Sequence, residues 1–111
     1  MGISKIDLFT EEQNEIAIYA KAFSHPARVA ILQYLINKNE CINSDLVKEL
    51  GLAQATVSQH LRELKDIGLI QGNIEGNRKC YCINPIKWEI MRSRFSDIFE
   101  LFKSKLNINC C

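Results

Sequence analysis

Between residues 54 and 66 the chain sets amide, hydroxyl and guanidinium groups along one side of an apolar spine. Gln54, Ala55, Thr56, Ser58, Gln59 and Arg62 fall on the polar side, with His60 at its margin, while Val57, Leu61 and Leu64 follow one another four and three residues apart. Primary amides can bond an adenine edge through two hydrogen bonds, and hydroxyls suit base edges or phosphate oxygens. A merely solvated helix face more often carries Glu and Lys pairs, and that pattern begins only at Glu63, Lys65 and Asp66. Further along, Arg78 and Lys79 place two cations beside Glu75-Gly76-Asn77, a hairpin-turn sequence. A wing in that position would meet phosphate. The chemistry these residues suit is recognition of double-stranded DNA.

The second chemical feature is thiol. The cysteines are Cys41, Cys80, Cys82, Cys110 and Cys111, and an odd count of 5 reads as free thiols in a reducing cytosol rather than as a disulfide framework. Cys80 and Cys82 alternate on an expected strand, so they share a face about 6.5–7 Å apart. That is beyond comfortable disulfide reach but usable by one soft metal such as Zn or Cu(I), or by a trivalent metalloid. Cys110 and Cys111 are adjacent and could chelate a metalloid without any fold, with Cys41 as a third donor if the tail turns back. Beside this stands the plain alternative that Cys41, Cys80 and Cys82 are small packing groups. A soft metal or metalloid is the one cofactor class implied; no organic cofactor is.

These groups need elements to hold them. Thr10-Glu11-Glu12-Gln13 has the spacing of a capping box, opening a helix with Ile16, Tyr19, Ala20 and Phe23 on one stripe. It should end near Ser24-His25, because Pro26 disfavours helical geometry before it and suits the first turn of a second helix. That helix is expected to bury Val29, Leu32, Leu35 and Ile36. A third short helix is expected over about 44–50 with Asn43 as its cap, then Gly51-Leu52-Ala53, then a fourth over 54–67 closed by Gly68. The period then changes. Residues 69–74 and 78–83 read as paired strands, and Asn84-Pro85 opens a last helix carrying Trp88, Met91, Phe95, Ile98 or Phe99, and Phe102. Two helices around a Gly-containing turn, followed by a hairpin, predict a mainly α winged helix-turn-helix.

With these residues in place, the sequence resembles the ArsR/SmtB family of bacterial repressors over roughly residues 15 to 100. The likeness is carried by His25-Pro26-Ala27-Arg28 with Val29, Ile31 and Leu32, by the run from Leu52 to Leu64, and by Gly68-Leu69-Ile70. Glu75-Gly76-Asn77, Tyr81 and Ile83-Asn84-Pro85 extend it. The resemblance implies a homodimer joined by the first and last helices, about 10–24 and 85–105. It also implies repression lifted by a metal, metalloid or other chemical signal. By position, Gln54, Ala55, Ser58 and Gln59 take the base-reading places. Three departures stand out. Ala53 replaces the Ser that usually opens the recognition helix, removing a cap worth about 1 kcal/mol. The family's Cys-x-Cys-Asp-Leu metal segment is not intact in Cys41-Ile42-Asn43-Ser44-Asp45-Leu46, where a single cysteine is displaced by one position. The Asp/His zinc site of the last helix is absent, since the only histidines are His25 and His60.

Composition bounds these readings. A chain of 111 residues fits one domain, 1–111, and one small enough that a second subunit would help stabilise it. The net charge of +1 lends DNA binding little support, so that reading rests on local pattern. No apolar run approaches the roughly 20 residues of a membrane span, and the first ten residues lack signal-peptide architecture, so a cytoplasmic protein without membrane contact is expected. No Ser-His-Asp or Cys-His pairing, phosphate loop or paired acids occur at useful spacing, so no enzyme is expected. The alternative function is a thiol-based metal or redox-binding protein that uses the fold without DNA.

Overall fold

Thr10 opens the first helix by exchanging hydrogen bonds with Gln13. The Gln13 backbone N–H donates to Thr10 Oγ1 at 3.1 Å, and the Thr10 N–H donates to Gln13 Oε1 at 3.0 Å. The structure, a computed structural model, describes residues 8–38, 40–42, 46–103 and 105. Helix α1 spans Glu11–Ala20 and tightens into a 3-10 turn over Lys21–Phe23. His25 then caps α2 (Pro26–Lys38), its Nδ1 accepting from the Ala27 N–H at 2.9 Å. The buried face of α2 runs through Ala27, Ile31, Leu32 and Leu35. This corrects the expectation for Val29 and Ile36: Val29 is half-buried and Ile36 is 45% exposed. Both the helix over 54–67 and the strand over 80–83 pack on α2, and together they rotate its buried stripe away from Ile36.

Helix α3 spans Leu46–Leu50 and α4 spans Gln54–Ile67. The expected Asn43 cap and the residues 43–45 lie outside the described residues. Ala53 is extended and offers no side-chain cap, as its residue type foretells. Gly68 ends α4 in the left-handed region at φ 96°, and its N–H bonds back to the carbonyls of Leu64 and Lys65. Val57, Leu61 and Leu64 all face inward, at 3%, 5% and 0% exposure.

Strands β1 (Ile70–Asn73) and β2 (Cys80–Ile83) pair antiparallel, with Gln71 opposite Cys82 and Gly72 opposite Tyr81. They are shorter than the sequence pattern suggests, and a six-residue loop, 74–79, replaces the three-residue turn. Asn73 is the physical reason. Its side chain donates to the Arg78 carbonyl at 3.2 Å and accepts from the Glu75 N–H at 3.3 Å, substituting for ladder bonds. The pairing does not stop at β1. Ile42 forms a bridge to the other edge of β2, with Ile42 N–H to Tyr81 O at 2.8 Å and Tyr81 N–H to Ile42 O at 3.1 Å. Tyr81 is thereby held on both sides and buried in the core.

Helix α5 (Pro85–Lys103) begins at Asn84, whose Oδ1 accepts from the N–H groups of Ile86 and Lys87 at 3.1 and 3.2 Å. It lies along α1, where Met91 is buried and Trp88 and Phe95 pack against the core. Arg94 fastens the two helices through Glu15 at 2.8 Å and Glu12 at 3.9 Å. Beyond this seam the helix stays apolar: Ile98, Phe99, Leu101 and Phe102 are exposed.

Candidate nucleic-acid interface and thiol cluster

The core grips α4 from one side, so its opposite side is open. Gln54, Ala55, Gln59 and Arg62 are exposed, while Thr56 and Ser58 are half-buried. The amides have only local partners: Gln54 Nε2 donates to Ser58 Oγ at 3.0 Å, and Gln59 Nε2 to Glu63 Oε1 at 3.4 Å. Such exposed intrahelical bonds are weak enough to be exchanged for a ligand's edge. The guanidinium of Arg62 reaches Glu75 in the wing loop at 3.7 Å, so helix and wing are tied across the face between them. Arg78 is exposed and Lys79 half-buried on that loop.

His60 does not join this surface. It is 8% exposed and turned inward, against the sequence expectation that it stands at the margin of the polar face. Its Nδ1 accepts from Arg28 Nε at 3.1 Å, and its ring lies 4.8 Å from that of His25. The Arg28 guanidinium also pairs with the Glu63 carboxylate and bonds the Lys21 carbonyl, making one brace between α4 and the start of α2. Sequence reasoning missed this brace. The available signal was a lone cation, Arg28, on the first turn of an otherwise apolar helix.

The brace makes acid stability a readout. Burial, then the Arg28 charge, then His25 hold His60 below its ordinary pKa of 6.5, so the folded state keeps it neutral. The unfolded chain takes up that proton first. His60 therefore stabilises the fold fully above pH 6.5, and this contribution is lost as pH falls through the lower folded value. Melting temperatures should drop between pH 7.5 and 5.5, and His60→Gln should flatten that drop; an unchanged slope in the variant contradicts the assignment.

The bridge between Ile42 and Tyr81 has a second consequence. Ile42 and Tyr81 exchange both N–H···O bonds, so the next pair, Cys41 and Cys82, sits directly opposite without such bonds. In that geometry α-carbons stand about 4.5 Å apart with side chains on one face. Cys80, two residues from Cys82, points the same way. Hydrogen bonds to Cys80 and then Cys82 push the Cys41 thiol up to about 12, so it is neutral at physiological pH. Gln71 Nε2 donates to Cys82 Sγ at 3.6 Å. All three thiols are free; Cys41 and Cys80 are exposed and Cys82 is half-buried. Cys41 and Cys80 are surface groups rather than core packing, and Cys82 lies between these two cases. Among the described residues no three His, Cys, Asp or Glu side chains already form a metal cage. Cys110 and Cys111 lie outside the described residues.

Comparison with known proteins bears on the whole arrangement. The sequence profile of bacterial regulatory proteins of the arsR family matches residues 25–71, which hold α2, α3, α4 and the first residues of the wing. An uncharacterized HTH-type transcriptional regulator of Methanocaldococcus jannaschii is 33% identical over 90 residues, 78% of this chain and 94% of that relative. An uncharacterized HTH-type transcriptional regulator of Mycobacterium tuberculosis is 31% identical over 67 residues, 60% of this chain and 59% of the relative. The HTH-type transcriptional repressor SmtB of the same organism is 36% identical over 61 residues, 55% of this chain and 44% of the relative. The chain thus spans less than two thirds of the length of these two Mycobacterium tuberculosis relatives. No described helix is long and apolar enough to cross a membrane.

Proposed function

Because the chain belongs to the arsR family of bacterial regulatory proteins, we propose that it is a DNA-binding transcriptional repressor that works as a cytoplasmic homodimer. Helix α4 enters the major groove, the wing lies on the backbone, and a metal, metalloid or thiol-reactive signal releases the operator. The observation that carries this reading is the exposed amide and hydroxyl face of α4 beside the wing cations. The repressor named among its relatives supports the sign of regulation. Members of the family are regulators rather than enzymes, and no catalytic role is proposed.

Base reading and backbone contact predict different signatures. Gln59→Ala should weaken specific binding by about 1–3 kcal/mol and leave binding to random DNA nearly unchanged. Arg78→Ala should weaken both and lower the salt slope by about one unit. Fluorescence anisotropy on the DNA upstream of the chain's own gene, against a scrambled duplex, separates the two. Equal loss on both duplexes for Gln59→Ala would remove its base-reading role.

The apolar ridge of α5 supports the reading of a second subunit. Phe23, Ile98, Phe99 and Phe102 are large exposed apolar side chains on α5 and the end of the α1 segment, more than a small monomer leaves in water. A two-fold partner would bury this surface against its own copy and set the spacing between the two α4 helices.

A further inference from the structure

We propose that the cavity between α2, the wing strands and the start of α5 binds an organic cation with an apolar, aromatic-sized body. The cavity holds about 440 Å³, within the range that takes a compact organic molecule. Its walls are Leu35 and Ile36 of α2, Glu40 of the link that follows, Gln71 and Ile83 of the two strands, and Trp88 of α5. Leu35 is buried, and Ile83 and Trp88 are half-buried against the core, so the floor is apolar and already packed. Trp88 is fixed in turn by Phe23, whose ring meets it edge-on at a centroid distance of 6.3 Å. No residue of α4 lines the cavity, which separates it from the exposed amide face of that helix.

Charge selects the ligand class. Apart from the Cys82 thiol, the polar side chains at the cavity are the Glu40 carboxylate and the Gln71 amide. Gln71 Nε2 donates to Cys82 Sγ at 3.6 Å, which leaves the amide oxygen to accept. Among the described residues no Lys or Arg lines the cavity, and the ion pairs fall on other carboxylates. An anion there would face a like charge. A cation meets a carboxylate and an indole ring, the aromatic partner that attracts positive charge best. The apolar walls take up the rest of the molecule. Glu40 is exposed at the rim, so its pull on a ligand is screened by salt.

Binding is measured without DNA, so the result stands apart from the repressor reading above. Trp88 is the chain's single tryptophan, and its fluorescence reports occupancy of the cavity it lines. The probes are tetraphenylphosphonium and tetraphenylborate, ions of nearly equal size and apolar surface but opposite charge. Titrated into the full chain, tetraphenylphosphonium should change the Trp88 emission saturably, at one site per chain. Tetraphenylborate should bind roughly tenfold more weakly or worse. Glu40→Gln should weaken tetraphenylphosphonium by about two- to fivefold, the scale of an exposed charge pair, and added salt should erase that difference. Ile36→Lys, at a position 45% exposed, sets a cation in the cavity mouth and should weaken the same probe roughly tenfold. Circular dichroism of both variants verifies that the fold is intact. Trp88 also borders the apolar ridge beside Arg92 and Phe99, and a probe bound there would be indifferent to Glu40 and Ile36. Unchanged affinity in both variants therefore overturns the site. Equal response to the two ions, or a response that never saturates, overturns it as well.

Discussion

Replacing Phe99 with aspartate should convert the proposed dimer into monomers and lower operator affinity by roughly 10²–10⁴-fold, the advantage that linking two binding modules confers. Phe99 is the right position because it is 69% exposed and stacks on Phe95 at a centroid distance of 6.0 Å without entering the core. Phe95 itself packs against Phe23 and the core, so charging it would damage the monomer as well. In a two-fold interface each substitution acts twice, placing two carboxylates in an apolar seam where desolvation is costly. Sedimentation should show monomers at micromolar concentration, with helix content unchanged. A variant that stays dimeric places the interface elsewhere on the chain.

The second large effect is expected in the wing. Gly72 has φ 104°, and a Cβ there would lie 2.2 Å from the Cys80 carbonyl oxygen, a backbone atom that cannot turn aside. Gly72→Ala should therefore break the β1–β2 register. Strain at the backbone alone costs about 1–3 kcal/mol. For a domain of this size each kcal/mol lowers the melting temperature by roughly 4–8 °C. Because the partner strand β2 places Tyr81 opposite Gly72, the variant should also loosen Tyr81 from the core while α4 remains folded. A melting temperature like that of the parent would show that the strands tolerate a Cβ and that the pairing is not as described.

These two cases show where sequence pattern suffices. Helix boundaries were legible wherever a local rule acts. The Thr10–Gln13 box, Pro26, Gly68 and Asn84 each fix an end by hydrogen bonds spanning only a few residues. The inward spacing of Val57, Leu61 and Leu64 was equally local. Contacts between distant segments were not legible. His60 reads as polar and marginal until Arg28, 32 residues away, is seen to claim its Nδ1. The wing loop lengthens because the Asn73 side chain competes for backbone partners. The thiol cluster depends on one bridge between residues 42 and 81, with no periodicity in the chain to announce it. Two cysteines on a strand could be foreseen as sharing a face; the third could not.

The central claim is that the α4 face reads a DNA sequence, and binding measured on two duplexes tests it most directly. Anisotropy titrations of the full chain should be run at physiological salt with the DNA upstream of its own gene and with a scrambled duplex of equal length. The account predicts tighter binding to the first by about 10³-fold or more, the usual lower margin of specific recognition. Equal affinity for the two duplexes, or no binding to either, would contradict it.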